Sequence, residues 1–136
     1  MNHAHVDQVK NISSVMAKSK RTIYAVAGVL HNSGGKVLVS LRPNHVPQGG
    51  FWEFPGGKIE SDETSLQALC RELWEEIGVK VESANMLSIE QHDYDDRIVV
   101  LETWKVDSFS GIPIGKEGQR IAWVSEPELA ERKFLP

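Results

Sequence analysis

Glu72, Glu75 and Glu76 stand at i, i+3 and i+4 in a stretch whose apolar residues recur at helical spacing. All three carboxylates therefore share one helix face. Like charges so placed cost roughly 0.2–0.5 kcal/mol per pair on an exposed helix, so the cluster either faces open water or is neutralised by a cation. Carboxylate oxygens are hard ligands that suit Mg²⁺, with Mn²⁺ as a substitute, better than zinc. Three glutamates alone would read as a solvated face. Here they end a longer pattern: Gly57, five residues, Glu63, seven residues, then Arg71-Glu72-Leu73-Trp74-Glu75-Glu76-Ile77-Gly78-Val79. The glycines at 56 and 57 predict a tight turn where backbone can approach a bound metal or phosphate with no side chain between.

The elements that position these groups follow from periodicity. Ile23 to Leu30 and Val37 to Leu41 are β-rich apolar runs around the turn cluster Asn32 to Gly35 and predict a β-hairpin. A loop from Arg42 to Gly50 leads into Phe51, Trp52, Glu53, Phe54 and Pro55. Ser61 or Asp62 is placed to cap a helix whose buried stripe is Leu66, Leu69, Cys70, Leu73 and Ile77, and Gly78 ends it. Strands are predicted at Met86 to Gln91, Ile98 to Val106 and Ile121 to Val124, with a second helix over Pro127 to Arg132. The result is one mixed α/β domain without repeats over residues 21–136. Residues 1–20 are polar and read as a flexible extension or a loosely attached short helix, with His3 and His5 solvated rather than metal-binding.

Composition narrows the function. The 136-residue chain carries a formal net charge of −4 with scattered basic residues, which excludes the basic patch of a nucleic-acid-polymer binder. An acidic protein that accepts a polyphosphate anion must supply metal ions and a few placed cations. The one cysteine, Cys70, excludes an internal disulfide, suits a reducing compartment and reads as a buried, inert thiol. No apolar run has the length of a membrane span and no secretory signal opens the chain, so no membrane association and a cytoplasmic location are expected.

The pattern from Gly57 to Val79 resembles the Nudix box, with all nine of its specified positions matched across twenty-three residues. The similarity is to the MutT-like branch of that family over about residues 23 to 136. It also rests on Trp52-Glu53-Phe54-Pro55-Gly56-Gly57-Lys58-Ile59-Glu60, on Asp96-Arg97, and on Gly115-Lys116-Glu117-Gly118-Gln119 with Trp123 beyond. The resemblance implies a Nudix fold, a mixed β-sheet in an α/β/α sandwich. It implies that Glu72, Glu75 and Glu76 ligate the metal or activate water, joined by Glu117 and by Gly56, with Arg71 and Glu63 in support. Arg42 would contact phosphate; Glu53, Phe54, Pro55 and Gly56 would line the nucleotide pocket; Arg97 would hold the base or pair with Asp95 or Asp96.

The implied reaction is Mg²⁺-dependent hydrolysis of (8-oxo-)dGTP to (8-oxo-)dGMP and pyrophosphate, which sanitises the nucleotide pool for replication. Water would attack the β-phosphorus, with Glu72 the leading candidate base and Glu117 the second. The resemblance also implies a purine-reading asparagine and a closing helix beyond Phe134-Leu135-Pro136, where the sequence stops, and a fused C-terminal domain is compatible with that. Two alternatives stand beside this reading: a Nudix pyrophosphohydrolase of another nucleotide, such as CTP or 5-methyl-dCTP, and a catalytically silent module that binds a nucleotide or a partner. The intact glutamates argue against the second, since a binding module gains nothing from a repulsive cluster.

Overall fold

The computed structural model describes residues 20–46 and 49–132. The elements run β1 (Arg21–Leu30), β2 (Val37–Leu41), β3 (Trp52–Glu53), β4 (Gly56–Lys58), α1 (Ser65–Ile77), β5 (Lys80–Asp93), β6 (Arg97–Ser110), β7 (Ile121–Val124) and α2 (Glu126–Glu131). The mixed α/β class holds. A four-stranded sheet has the order β4-β1-β6-β5, with β1 and β6 parallel and the other pairs antiparallel, and a three-stranded antiparallel sheet has the order β3-β2-β7.

Helix α1 lies on the four-stranded sheet. Ala68, Leu69, Leu73 and Ile77 are fully buried there with Val26, Leu30, Val79 and Val106. The approach is close because β1 offers no side chain at Gly28, where a Cβ would come within 3.0 Å of Leu73. Two expectations for this helix are corrected. Thr64, not Ser61 or Asp62, is the N-cap: its hydroxyl accepts from the Gln67 amide at 3.1 Å while the Gln67 side chain accepts from the Thr64 amide at 2.9 Å. This reciprocal pair satisfies two donors of the first turn. Leu66 is exposed rather than core, its place in the stripe being taken by Ala68, and Cys70 is only partly buried. Gly78 ends the helix in the left-handed conformation, as expected.

The predicted hairpin is corrected as well. The turn forms, with Asn32 Oδ1 accepting from the amides of Gly34 and Lys36. Beyond a single bridge between His31 and Val37, however, the strands part into different sheets. The strands predicted at Met86–Gln91 and Ile98–Val106 are the middles of one long hairpin, β5–β6, whose alternation is interrupted by register shifts around Ser83 and between Met86 and Ser88. Each bulge resets which side chains face the core, so a strict period of two ends there.

The segment from Trp52 to Lys58, for which only a tight turn at the glycines was expected, contributes a strand to each sheet. Trp52 and Glu53 pair with Leu41 and Ser40 of β2, whereas Gly56 and Lys58 pair with Ala27 and Ala25 of β1. At this crossing the site is built. The N-terminal extension through residue 19, His3 and His5 included, and Phe134-Leu135-Pro136 lie outside the described residues. No helix among the described residues is long and apolar enough to cross a membrane.

Candidate active site

A cavity of about 290 Å³ opens where the Trp52–Lys58 segment passes between the sheets. It is lined by Ser40, Leu41, Arg42, Pro43, Val46, Glu53, Gly56, Glu72, Glu76, Glu117 and Gln119. Strand pairing delivers Arg42 at the end of β2 and Glu53 on β3, and the two side chains meet at 3.3 Å. Glu72 and Glu76 come one turn apart from α1. Glu76 is 9 % exposed, and its Oε2 accepts from the Gly56 amide at 3.2 Å.

Gly56 and Gly57 are required by crowding rather than by a turn. A Cβ on Gly56 would overlap the Val26 carbonyl and lie 2.7 Å from Ala27 Cα; one on Gly57 would lie 2.5 Å from the Glu72 carboxylate oxygens. The backbone of β4 thus passes directly beneath the helix carboxylates.

Arg71 is the fixed cation behind the cluster. It donates to Glu63 at 2.6 and 3.0 Å, to Glu72 at 3.0 Å, to Glu75 at 3.2 Å and to the Lys58 carbonyl at 3.0 Å. These bonds hold the Glu63 carboxyl down to about 2 and raise the Arg71 guanidinium above its usual range. Glu75 points outward, more than half exposed, toward Arg71.

Glu117 arrives from the loop before β7, and sequence reasoning gave no role to the residue that fixes it. Gln119 accepts from the Glu117 amide through Oε1 at 2.9 Å and donates through Nε2 to the Glu76 carbonyl at 2.9 Å. With the Lys116 amide on that same carbonyl at 3.0 Å, the loop is stitched to the end of α1. Gln119 stands inside the Gly115–Gln119 motif, which was the available signal. Ser40, Pro43 and Val46 carried none.

The cavity is electrostatically unbalanced. Burial, followed by the charges of Glu53, Glu117 and Glu72, pushes the Glu76 carboxyl up to about 8 against the opposing Gly56 hydrogen bond. Burial also raises Glu72 and Glu53, opposed by Arg71 and Arg42 respectively. Phe54 is half-buried and Pro55 buried, and neither lines the cavity. Arg97 stands at the start of β6, pairs with Asp96 at 3.0 Å and lies 4.6 Å over the Tyr94 ring. Its register partner on β1 is Arg21, six residues before the partner of Gly56, or roughly 20 Å along the strand at about 3.3 Å per residue.

The NUDIX domain family matches residues 21–136. The chain belongs to the Nudix family. A CTP pyrophosphohydrolase of Escherichia coli is 36% identical over 116 residues, 85% of each chain. An 8-oxo-dGTP diphosphatase of Proteus vulgaris is 40% identical over 99 residues, 73% of this chain and 88% of that one. A solved MutT structure, from work on the Aliivibrio salmonicida and Vibrio cholerae proteins, superposes with a TM-score of 0.73 at 40% identity, covering 85% of this chain and 89% of the other.

This Nudix hydrolase is therefore a nucleotide pyrophosphohydrolase of a family that generally uses divalent metal ions. The donor set fits such an ion in kind: Glu72, Glu76 and Glu117 would supply hard oxygens, and the repulsion that Glu72 and Glu117 exert on the buried Glu76 is what a divalent cation would offset. Among the described residues no three acidic, histidine or cysteine side chains converge on a single ion position, and Glu72 is held toward Arg71.

Proposed function

We propose that this enzyme hydrolyses 8-oxo-dGTP, with dGTP as the unoxidised counterpart, to the nucleoside monophosphate and pyrophosphate in the presence of Mg²⁺ in the cytoplasm, clearing oxidised precursors before replication. The observation that carries the reaction class is the crowded, cation-poor carboxylate group of Glu72, Glu76 and Glu117 facing Arg42 across one cavity. The 8-oxo-dGTP diphosphatase at 40% identity supports the substrate.

Mg²⁺, when bound, supplies charge neutralisation at the phosphates and lowers the pKa of water. The chain's own residues do the rest. Glu72, or else Glu117, takes the proton from the attacking water as its oxygen bonds to the β-phosphorus. The bond from that phosphorus to the α–β bridging oxygen breaks, and the nucleoside monophosphate leaves. Arg42, oriented by Glu53, holds the phosphate chain with a planar guanidinium that matches phosphate geometry. Gln119 keeps Glu117 over the end of α1. Glu75 contributes through the Arg71 network rather than by direct contact with the cavity.

A second reading has a specific observation behind it: the CTP pyrophosphohydrolase, 36% identical across 85% of both chains, favours a pyrimidine triphosphate. Steady-state hydrolysis of 8-oxo-dGTP, dGTP, CTP, dCTP and 5-methyl-dCTP with Mg²⁺, followed by pyrophosphate release, separates the two. A kcat/KM for 8-oxo-dGTP at least tenfold above the others upholds the primary reading. A pyrimidine preference replaces it with the second.

A further inference from the structure

Beside the acidic cavity lies a second one of about 300 Å³. It shares a wall with the first that includes Arg42 and Glu117, and it adds Asn44, His45 and Arg120. The two differ in charge. The first sets Glu53, Glu72, Glu76 and Glu117 against Arg42, whereas the second sets Arg42 and Arg120 against Glu117 alone.

We propose that the second cavity is the subsite for the terminal phosphate of a nucleoside triphosphate, and that Arg120 binds this phosphate and sets the enzyme's preference for triphosphate over diphosphate chains. The inference rests on the reaction proposed above. If water attacks the β-phosphorus at the carboxylate cluster, the nucleoside monophosphate departs on one side and the terminal phosphate extends on the other. That phosphate carries the highest charge density of the chain, so the acidic wall repels it and the adjoining basic cavity accepts it. Arg42, on the shared wall, spans both cavities and can follow the chain from one to the other.

Arg120 suits the task. Its backbone is fixed, since its carbonyl accepts from the Leu41 amide at 2.9 Å immediately before β7. Its exposed side chain forms no ion pair among the described residues and presents a fork of donors of the kind that binds phosphate bidentately. His45, on the same wall, adds a ring nitrogen that can donate a hydrogen bond. The motif preceding Arg120 ends at Gln119, so nothing in the sequence marked it.

The test uses the Mg²⁺-loaded enzyme and the variants Arg120→Ala and Arg120→Lys, with Arg120→Gln in reserve should the alanine variant fold poorly. Inorganic pyrophosphate serves as the product probe. Loss of a charge-assisted phosphate contact corresponds to at least a tenfold weaker interaction. Arg120→Ala is expected to raise the KM for the triphosphate and the inhibition constant of pyrophosphate at least tenfold, with a much smaller change in kcat. The triphosphate-over-diphosphate preference should narrow by a similar factor, and Arg120→Lys should recover part of the loss. Unchanged pyrophosphate inhibition overturns the assignment. So does a changed base preference at a constant triphosphate-to-diphosphate ratio, which would place the base in this cavity. Should the wild type hydrolyse no nucleotide, the functional reading fails by itself. Calorimetric titration of wild type and Arg120→Ala with pyrophosphate then decides the subsite: weaker binding by the variant upholds it, and equal or absent binding removes it.

Discussion

Glu76→Gln should make the metal-free protein more stable at alkaline pH while removing most turnover. The Glu76 carboxyl has its pKa raised to about 8 from an ordinary 4.5, chiefly by burial. In the unfolded chain the group ionises near its ordinary value, so between those two pH values the folded state holds a proton that the unfolded state has lost. Stability of the metal-free protein therefore falls as pH rises through that window. At about 1.4 kcal/mol per pKa unit the ceiling on this term is on the order of 5 kcal/mol, and relaxation with water penetration reduces it to about 2 kcal/mol. Glutamine keeps the acceptor for the Gly56 amide without the charge.

For a chain of this length such a gain corresponds to roughly 6–10 °C in Tm. Thermal unfolding in EDTA at pH 5 and pH 8.5 should show wild type and variant alike at the lower pH and the variant more stable at the higher. Millimolar Mg²⁺ should stabilise the wild type at pH 8.5 and close the gap, because a ligand that binds only the folded state adds its binding free energy. Turnover of the variant should drop at least a hundredfold. The reasoning is refuted if the Tm difference between the two proteins is independent of pH in EDTA, or if the variant retains activity within a few-fold of wild type.

Neighbouring glycines give opposite outcomes. Gly57→Ala pushes only on the far end of the Glu72 side chain, so Tm should move by a few degrees while kcat falls at least tenfold; Gly56→Ala collides with the β1 backbone and should yield little folded protein, as judged by circular dichroism of the purified chain. Arg71→Ala returns the Glu63 carboxyl from about 2 toward its ordinary range. A depressed carboxyl pKa stabilises above the unfolded value and loses that contribution as pH falls toward the folded one, so the variant should lose the wild type's advantage at neutral pH and show a flatter Tm profile between pH 5 and pH 2. Gln119→Ala removes the side-chain link between the Glu117 amide and the Glu76 carbonyl while the Lys116 amide still holds the loop to α1, and kcat should fall several-fold with KM for the triphosphate within a factor of two, measured by pyrophosphate release.

The sequence by itself determined the reaction class, because the Gly57–Val79 spacing constrains one local unit. A helix converts i, i+3 and i+4 into a shared face with no help from the rest of the chain. It likewise determined most of the elements, since Leu69, Leu73 and Ile77 keep the helical period and Val37 to Leu41 is a short β-rich apolar run. What it left open were the long-range pairings. Nothing local tells β1 and β2 to part after the His31–Val37 bridge, or Trp52–Lys58 to give one strand to each sheet; those choices depend on which faces can be buried together. The same pairings decide which of the glutamates sharing a helix face is buried. Glu76 lies under Gly56 and is 9 % exposed, whereas Glu75, its chain neighbour, turns out toward Arg71. Arg120 and Arg42, far apart in sequence, come to line one cavity through the pairing of β2 with β7. Periodicity reports how one segment meets its own core; only the packed sheets decide which distant side chains share a pocket.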